Sequence, residues 1–310
     1  PEDLTINDLT EARRQMDGYV TRIYDNGERI DTKKYLTEEL SDNAVQFIED
    51  NSDNPFFIYL SYNAPHTPLQ ATERDLERNN HIEVEKRRTY AAMVSSMDDG
   101  IGLILDKLEE KKITDNTIVI FFSDNGGVEW YNFSDNGILR GIKGDFFEGG
   151  IRVPFTMQWP KKIKPGITYD KPIIALDVFA TVASAASAEK YIKNDIDGVD
   201  LLPFLTGEKS GLPHEYLYWK NPDKDIDVVR DERYKYLRIK EDEYIFDLKN
   251  DISEETNIIN SSKPIYDRLK SQFKEWEKGM IDPVFLDLGS GKEYNKLNPD
   301  RWFNSSQEKQ

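Results

Sequence analysis

The amino-acid sequence predicts an α/β domain in which helices cover a largely parallel or mixed central sheet, followed by a small antiparallel sheet packed with a helix. Three observations lead to this prediction. A long amphipathic helix, residues 90–108, stands between two short apolar segments, 56–62 and 117–122, that have the length of buried strands. The order helix, strand, loop, helix, strand is typical of layered α/β domains. Beyond residue 207 the pattern changes to short segments rich in aromatic and β-branched residues, each broken by turn-forming residues.

Shorter patterns predict the remaining elements. Asp25-Asn26-Gly27 stands between two alternating stretches and predicts a hairpin turn. Further helices are expected at residues 36–49 and 176–188, a further strand at 153–159, and the strands of the small sheet at 216–220, 228–230, 234–239 and 244–248. A last helix is expected to cover that sheet with one apolar face, made of Tyr266, Leu269, Phe273 and Trp276.

The same patterns divide the chain into three parts. Residues 1–207 are expected to form the remainder of a large α/β domain whose central sheet is incomplete at its N-terminal side. Residues 208–280 are expected to form a small α+β subdomain, after a change in composition at Thr-Gly-Glu-Lys-Ser-Gly. Residues 281–310 are polar and irregular, and we expect them to form a tail.

Composition excludes several classes of partner. The chain has 310 residues, and its 58 acidic against 41 basic side chains give a formal charge of −17. This balance argues against nucleic acid or an anionic membrane as a partner, because phosphate groups are bound by basic surfaces. No apolar run approaches the roughly 18–20 residues of a membrane helix. Because the chain contains no Cys, disulfides, thiolate zinc sites and a Cys nucleophile are excluded within these residues.

Polar residues follow the two apolar segments that precede and follow the long helix. The first segment leads into Pro65-His66-Thr67-Pro68, and the second into Ser123-Asp124-Asn125-Gly126-Gly127. If the two strands are parallel neighbours, His66, Asp124 and Asn125 converge at one edge of the sheet. Carboxylate and amide oxygens are ligands that Ca²⁺ and Mg²⁺ prefer, although Ca²⁺ takes six to eight of them, so most must come from elsewhere. The alternatives are a plain turn at Asp124-Asn125-Gly126 and a structural role for His66.

A glycine-rich segment downstream carries a candidate anion-binding residue. Glycines surround Lys143 in Arg140-Gly141-Ile142-Lys143-Gly144, so its ammonium group has room to approach a bound anion. The alternative is a solvated surface lysine. The segment lacks the G-x-x-x-x-G-K-[ST] pattern of a phosphate-binding P-loop.

Four stretches in order resemble the sulfatases, a family of the alkaline-phosphatase-like superfamily. They are "PFFIYLSYNAPHTPLQ", "SSMDDGIGLILDKLEEKKITDNTIVIFFSDNGG", "LRGIKGDFFEGGIRVPF" and "VVRDERYKYL…EYIFDLKNDISEETN". The likeness runs from about residue 35 to residue 279, with the spacing between the stretches intact.

The resemblance implies a metal-assisted sulfate ester hydrolase that acts on a sulfated small molecule or carbohydrate. Asp124 and Asn125 match a pair of Ca²⁺ ligands, with Mg²⁺ or another divalent cation as the alternative. His66 matches the histidine that contacts the sulfate ester near the leaving oxygen, and Lys143 the lysine that binds the sulfate. Either of these two residues is then a candidate to protonate the leaving group.

The resemblance also assigns supporting roles. Glu148 and Arg152 are expected to hold the segment around Lys143 in shape rather than to touch the substrate. For three cations of the small sheet we keep two alternatives, a solvated strand face or contact with the sugar or aglycone. These cations are Arg230, Arg233 and Lys235.

Features that precede Pro-His-x-Pro in sulfatases do not occur in this sequence. The C/S-x-P-x-R stretch that yields the formylglycine nucleophile is absent, as is the early Asp-Asp metal pair. We therefore expect the chain to be the C-terminal portion of a sulfatase that needs a missing N-terminal part, and to be inactive alone. The resemblance to sulfatases also implies that the protein is located in the periplasm or is secreted. The rival functions are a phosphodiester or phosphonate ester hydrolase of the same superfamily and a non-catalytic binder of sulfated glycans.

Overall fold

The computed structural model describes residues 4–6, 23–30, 32 and 34–281. These residues form two compact units. The first unit contains the described residues up to 118 together with 127–135, and the second contains 119–126 and 136–281. The three-part division at residues 207 and 280 stays a prediction, and the expected tail lies outside the described part of the chain beyond residue 281. Among the described helices, none has both the length and the apolar character of a membrane span.

The mixed α/β class predicted from the sequence is confirmed. The helices are α1 (Leu36–Asn51), α2 (Glu73–Arg78), α3 (Glu85–Glu110), α4 (Glu129–Asn132), α5 (Glu148–Ile151), α6 (Leu176–Ala185), α7 (Leu202–Leu205) and α8 (Lys263–Glu277). The strands are β1 (Leu4–Ile6), β2 (Ile23–Asp25), β3 (Glu28–Ile30), β4 (Gln70–Thr72), β5 (Val119–Phe122), β6 (Phe155–Gln158), β7 (Leu217–Asn221), β8 (Ile226–Arg230), β9 (Tyr234–Ile239) and β10 (Asp242–Asp247). The predicted turn at Asn26-Gly27 joins β2 to β3, with φ of 49° and 89° at its two central residues, as a type I′ hairpin requires.

The apolar segment 56–62 does not form the predicted strand. Within the described residues no other segment pairs with its backbone, and a strand is defined by such a partner. Its side chains nevertheless alternate, with Phe57 and Tyr59 exposed at 70% and 78% and their neighbours partly covered. The strand predicted at residues 117–122 is β5, which pairs with β6 in the antiparallel sense, and the condition that it is a parallel neighbour of segment 56–62 stays a prediction.

The core of the first unit lies between α1 and α3. The buried positions of α3 include Ala92, Ser96 and Gly100, small residues that let the helix approach α1 closely. Ser41 of α1 faces Gly100, and its hydroxyl group lies 2.8 Å from the hydroxyl group of Tyr62. The larger apolar residues Met93, Met97 and Leu108 of α3 are buried as well, as the amphipathic pattern predicts.

The second unit contains the four-stranded antiparallel sheet, in the spatial order β10, β9, β8, β7. Because successive side chains of a strand point to opposite sides, the sheet has two faces, and both are buried. Val229, Tyr236 and Ile245 pack against α8, whose Leu269 and Phe273 are buried, so the predicted covering helix is confirmed. The neighbouring residues Val228, Leu237 and Phe246 form the other face, which is covered by Phe146 and Phe147. The segment that carries Lys143 is therefore attached to the sheet by the two aromatic residues that follow it.

A buried cluster of ion pairs adjoins this second face. Glu148 begins α5 directly after Phe147, and its side chain is only 1% exposed. Arg230 and Lys235 lie opposite each other in the register of β8 and β9, and the charged nitrogens of both side chains reach the Glu148 carboxylate at 3.1 Å. Glu254, fully buried, places Oε1 2.8 Å from the Lys235 ammonium, close enough for an ion pair although not aligned for a hydrogen bond. Two carboxylates and two cations thus offset one another away from water.

The ion pairs of the small sheet bear on the alternatives left for its three cations. Lys235 is neither solvated nor free for a ligand, since it is buried between two carboxylates. Arg230 binds Glu148, and Arg233 binds Asp247 at 2.6 Å. The supporting role expected of Glu148 agrees with its position, whereas Arg152 lies 3.7 Å from that carboxylate and is largely exposed.

The two buried carboxyl groups have opposite pKa shifts. Burial alone raises the pKa of Glu148, but Lys235 and Arg230 outweigh it and hold the pKa below its ordinary value of 4.5. Burial raises the pKa of Glu254, and Lys235 offsets only part of that effect. The ionised form of Glu148 is therefore the one that the fold stabilises.

A matched pair of glycines in α3 tests the close helix contact. A Cβ added at Gly100 would lie 2.1 Å from the Ser41 hydroxyl oxygen, whereas one at Gly102 would meet nothing within 4 Å. We expect Gly100→Ala to lower the free energy of unfolding by about 1–3 kcal/mol. Gly102→Ala should raise it by about 0.5–1 kcal/mol, because alanine favours the helix. Urea unfolding measures both, and equal effects of the two changes would contradict the packing described.

Removal of the buried ammonium group tests the ion-pair cluster. Lys235→Met leaves two buried carboxylates with one cation fewer, and we expect a loss of about 3–5 kcal/mol in the free energy of unfolding. The control is Lys278→Met, which removes an ion pair whose lysine is 72% exposed and should change stability by less than about 0.5 kcal/mol. Adding Glu254→Gln to Lys235→Met should restore part of the loss. A loss no larger than that of the control would show that the cluster is not an important source of stability.

The pKa shift of Glu148 predicts a dependence of stability on pH. Since its folded pKa lies below the unfolded value of 4.5, the ionised carboxylate stabilises the fold above pH 4.5, and this contribution is lost as the pH falls through the folded pKa. Glu148→Gln should be less stable than the unchanged protein at pH 7, and the difference should narrow in acid. Unfolding curves from pH 7 to pH 3 measure it, and a difference that stays constant or widens in acid would contradict the shift.

Candidate functional site

His66 lies in an exposed turn of the first unit. Its amide group donates to the carbonyl oxygen of Asn63 at 2.8 Å, and the peptide bonds before Pro65 and Pro68 are both cis. The ring nitrogen Nδ1 lies 2.7 Å from the carbonyl oxygen of Thr67. A carbonyl oxygen can only accept, so Nδ1 carries the hydrogen and Nε2 is the nitrogen left to face a ligand.

Asp124 and Asn125 follow β5 in the second unit. Oδ1 of the exposed Asp124 accepts from the Asn125 amide group at 2.8 Å, and Nδ2 of Asn125 donates to the carbonyl oxygen of Gly126 at 2.9 Å. The Ser123 hydroxyl group closes the turn by donating to the Asn125 carbonyl oxygen. Within the described residues, no donor is bound to Oδ2 of Asp124 or Oδ1 of Asn125. These two oxygens are the ones free to contact a cation.

These oxygens match the chemistry of a hard divalent cation in type but not in number. Carboxylate and amide oxygens suit Ca²⁺ or Mg²⁺, and either ion needs at least six ligands. In the part of the chain that the structure describes, no three side chains of His, Asp or Glu gather at one point where they could hold a metal. Asp124 and Asn125 therefore fit a share of a metal site rather than a whole one.

Lys143 occupies the tip of a tight turn in the second unit. The amide group of Asp145 donates to the carbonyl oxygen of Ile142 at 2.9 Å, and Gly144 has a φ of 88°, as the third position of a type II turn requires. Oδ2 of Asp145 turns back to accept from the Ile142 amide group at 3.2 Å. The Lys143 side chain is exposed and has no carboxylate partner among the described residues.

The Asp124 turn and the Lys143 turn both contact the backbone of α5 at Gly149 and Gly150. The Gly126 amide group donates to the carbonyl oxygen of Gly150 at 3.0 Å, and a Cβ on Gly126 would lie 1.7 Å from the carbonyl oxygen of Gly149. On the other side, a Cβ on Gly150 would lie 2.5 Å from the carbonyl oxygen of Ile142. No side chain fits at these contacts, so the two turns are held at a fixed separation.

Glu254 closes the base of the segment that bears Lys143. Its carbonyl oxygen accepts from Nη1 of Arg140 at 2.8 Å, and its Oε2 accepts from the amide group of Glu148 at 2.6 Å. The Gly149 amide group also donates to the carbonyl oxygen of Arg140, so the two ends of the segment meet. Sequence reasoning missed Glu254, which lies in a polar stretch with no helical or strand periodicity. Its positive φ of 54° cannot be read from its residue type.

Of the four predicted site residues, Asp124, Asn125 and Lys143 belong to the second unit, on turns that pack through the same two glycines. His66 belongs to the first unit. The roles of all four residues stay predictions.

Two family models match the chain. Residues 5–188 match the sulfatase model, and residues 143–279 match the model described as N-sulphoglucosamine sulphohydrolase, C-terminal. The two matches overlap over residues 143–188, which include Lys143 and α5. Together they extend over nearly all of the described residues.

Individual sulfatases also match parts of the chain. The uncharacterized sulfatase YdeN of Escherichia coli is 35% identical over 232 residues, which are 72% of this chain and 41% of YdeN. Human steryl-sulfatase is 36% identical over 190 residues, 59% of this chain and 32% of that protein. The chain thus spans less than half the length of either relative.

A solved structure supports the same assignment. The crystal structure of Ps i-CgsB matches with a TM-score of 0.81 and 30% identity, and the match covers 95% of this chain and 67% of that one. The same protein in complex with k-i-k-neocarrahexaose matches with a TM-score of 0.80 and 29% identity. Because the sulfatase model matches residues 5–188, more than half of the chain, this chain belongs to the sulfatase family.

Proposed function

We propose that the whole protein is a sulfuric ester hydrolase that acts on a sulfated carbohydrate. One observation carries the proposal: an ammonium group and two oxygens, all without a partner among the described residues, stand on turns that a pair of glycines packs together. Membership of the sulfatase family supports the reaction class. The relative i-CgsB, at 29% identity, binds an oligosaccharide, which supports a carbohydrate as the substrate.

Lys143 is proposed to bind the oxygens of the sulfate group. Charge gathers on these oxygens as the ester bond breaks, and a fixed cation that is already oriented stabilises that charge without reorganising. The turn around Lys143 is held at its base by Glu254 and beneath by Phe146 and Phe147, so the ammonium group is presented from a rigid support.

His66 is proposed to donate a proton to the leaving oxygen, acting as the doubly protonated ring, whose Nε2–H group faces the substrate. Its Nδ1 is occupied by the carbonyl oxygen of Thr67, which fixes the ring and leaves Nε2 for the substrate. An imidazole nitrogen can carry a proton and pass it to a neighbouring oxygen, which suits this role. Lys143 remains the other candidate for the same proton.

The sulfatase family is generally dependent on a divalent cation. We propose Ca²⁺, with Mg²⁺ as the alternative, and place Asp124 and Asn125 among its ligands. When bound, such a cation polarises the sulfate oxygens. The remaining ligands and the formylglycine nucleophile are proposed to come from an N-terminal part of the same protein. Without that part we expect no turnover.

The relatives include bacterial sulfatases. We propose that this protein works in the periplasm or outside the cell, where sulfated polysaccharides are met.

Two substitutions test the proposed roles in the whole protein. Lys143→Ala and Asp124→Ala should each lower kcat/KM for 4-nitrophenyl sulfate and for a sulfated sugar by about 100-fold or more, because each removes charge stabilisation in the transition state. Matched controls are Lys164→Ala and Asp170→Ala, which change exposed side chains in the same unit and should leave kcat/KM at its starting value.

Three results would overturn the assignment. One is hydrolysis that survives both substitutions undiminished. Another is faster turnover of 4-nitrophenyl phosphate than of the sulfate at equal concentration, which would favour a phosphate ester hydrolase. The third is activity that persists after dialysis against a chelator, which would remove the metal from the mechanism.

A further inference from the structure

We propose that Lys224, on the turn between β7 and β8, forms a second anion-binding position beside Lys143. Its ligand would be a sulfate or carboxylate group other than the one that is hydrolysed. The substrate would then be a sugar that carries more than one anionic group. This inference rests on the proposed function, because it takes Lys143 as a contact of the first sulfate group.

The first observation is the approach of the two turns. The ammonium nitrogen of Lys224 lies 3.4 Å from the carbonyl oxygen of Gly144, the residue that follows Lys143. A Cβ built on Gly144 would have one neighbour within 4 Å beyond the adjacent residues, and that neighbour is the same nitrogen at 3.6 Å. The β7–β8 turn therefore reaches the tip of the Lys143 turn and leaves the space around it open.

The second observation is that both ammonium groups lack a carboxylate. Cations on the strands of the small sheet and on the turn before β9 are held in ion pairs within 3.1 Å of Asp or Glu; these are Lys220, Arg230, Arg233, Lys235 and Arg238. Lys143 and Lys224 have no such partner within the described residues. In a chain of net charge −17, two neighbouring cations without a carboxylate suit an anionic ligand.

The nearby carboxylates are already engaged. Asp145 turns its Oδ2 to the amide group of Ile142, which stabilises the turn instead of pairing with Lys143. Asp225, next to Lys224, binds the guanidinium group of Arg238 at 2.8 Å. An anion bound beside the Lys143 turn would therefore meet ammonium groups that no carboxylate of the described residues neutralises.

The turn that carries Lys224 is well supported. The Lys224 amide group donates to Oδ1 of Asn221 at 3.0 Å, and the carbonyl oxygen of Asp225 accepts from the amide group of Lys240 at 2.8 Å. The backbone is thus fixed at both sides of Lys224, while its side chain stays exposed. Lys224 is suited to distinguish substrates by their charge and has no place in bond breaking.

The test compares ligands that differ by one sulfate group. D-glucosamine 2-N,6-O-disulfate is compared with D-glucosamine 6-O-sulfate, and galactose 2,6-disulfate with galactose 6-sulfate, by NMR titration of the 310-residue chain and of the whole protein. We expect at least one disulfate to bind more tightly than its monosulfate. Lys224→Met should reduce that preference by about two- to five-fold, the range for an exposed charge pair. Raising the salt concentration should reduce it in the same direction.

The control is Lys164→Met, an exposed lysine of the same unit, which should leave the preference unchanged. The inference is overturned if the unchanged protein shows no preference for either disulfate, or if Lys224→Met and Lys164→Met have the same effect. Loss of thermal stability in Lys224→Met would also count against it, since it would assign a structural role to the residue. The 310-residue chain, for which no turnover is expected, reports binding alone. For the whole protein the same NMR spectra show how much sulfated sugar is hydrolysed, so failure of the proposed hydrolase activity is seen separately from failure of the preference.

Discussion

The arrangement of the second unit depends on one buried interaction, the contact of the Glu148 carboxylate with Arg230 and Lys235. A carboxylate removed from water is costly unless cations and hydrogen-bond donors surround it. Glu148 meets this requirement only where the segment that precedes it lies across the face of the four-stranded sheet. The need to pair one charge therefore places Phe147, and with it the turn that bears Lys143, on that face.

Glycines of α5 and of the turn after β5 also determine where Asp124 and Asn125 lie. Because Gly126, Gly149 and Gly150 have no side chains, the backbone after β5 lies directly against α5. The free oxygens of Asp124 and Asn125 are thus positioned by the same short helix that begins with Glu148. An electrostatic contact at one end of α5 and a steric one at the other together set the separation of the ammonium group from those oxygens.

The small sheet thereby has a role beyond its own stability. Its cations at Arg230 and Lys235 are used inside the protein, where they are shielded from any ligand. Lys224, on a turn of the same sheet, is the cation that reaches the Lys143 turn. Residue type alone does not separate these roles, since all three are basic residues in a stretch with strand periodicity.

The amino-acid sequence by itself determined the four longer helices α1, α3, α6 and α8, the hairpin at Asn26-Gly27 and the four strands of the small sheet, because periodicity and turn residues are local properties. It also indicated membership of the sulfatase family and supplied the candidates His66, Asp124, Asn125 and Lys143, whose roles stay predictions. Tertiary structure alone decided the antiparallel partner of β5, the lack of strand pairing at 56–62 among the described residues, and the position of Glu254. These features depend on which distant segment supplies a hydrogen bond or a countercharge, and such contacts leave no trace in local sequence patterns.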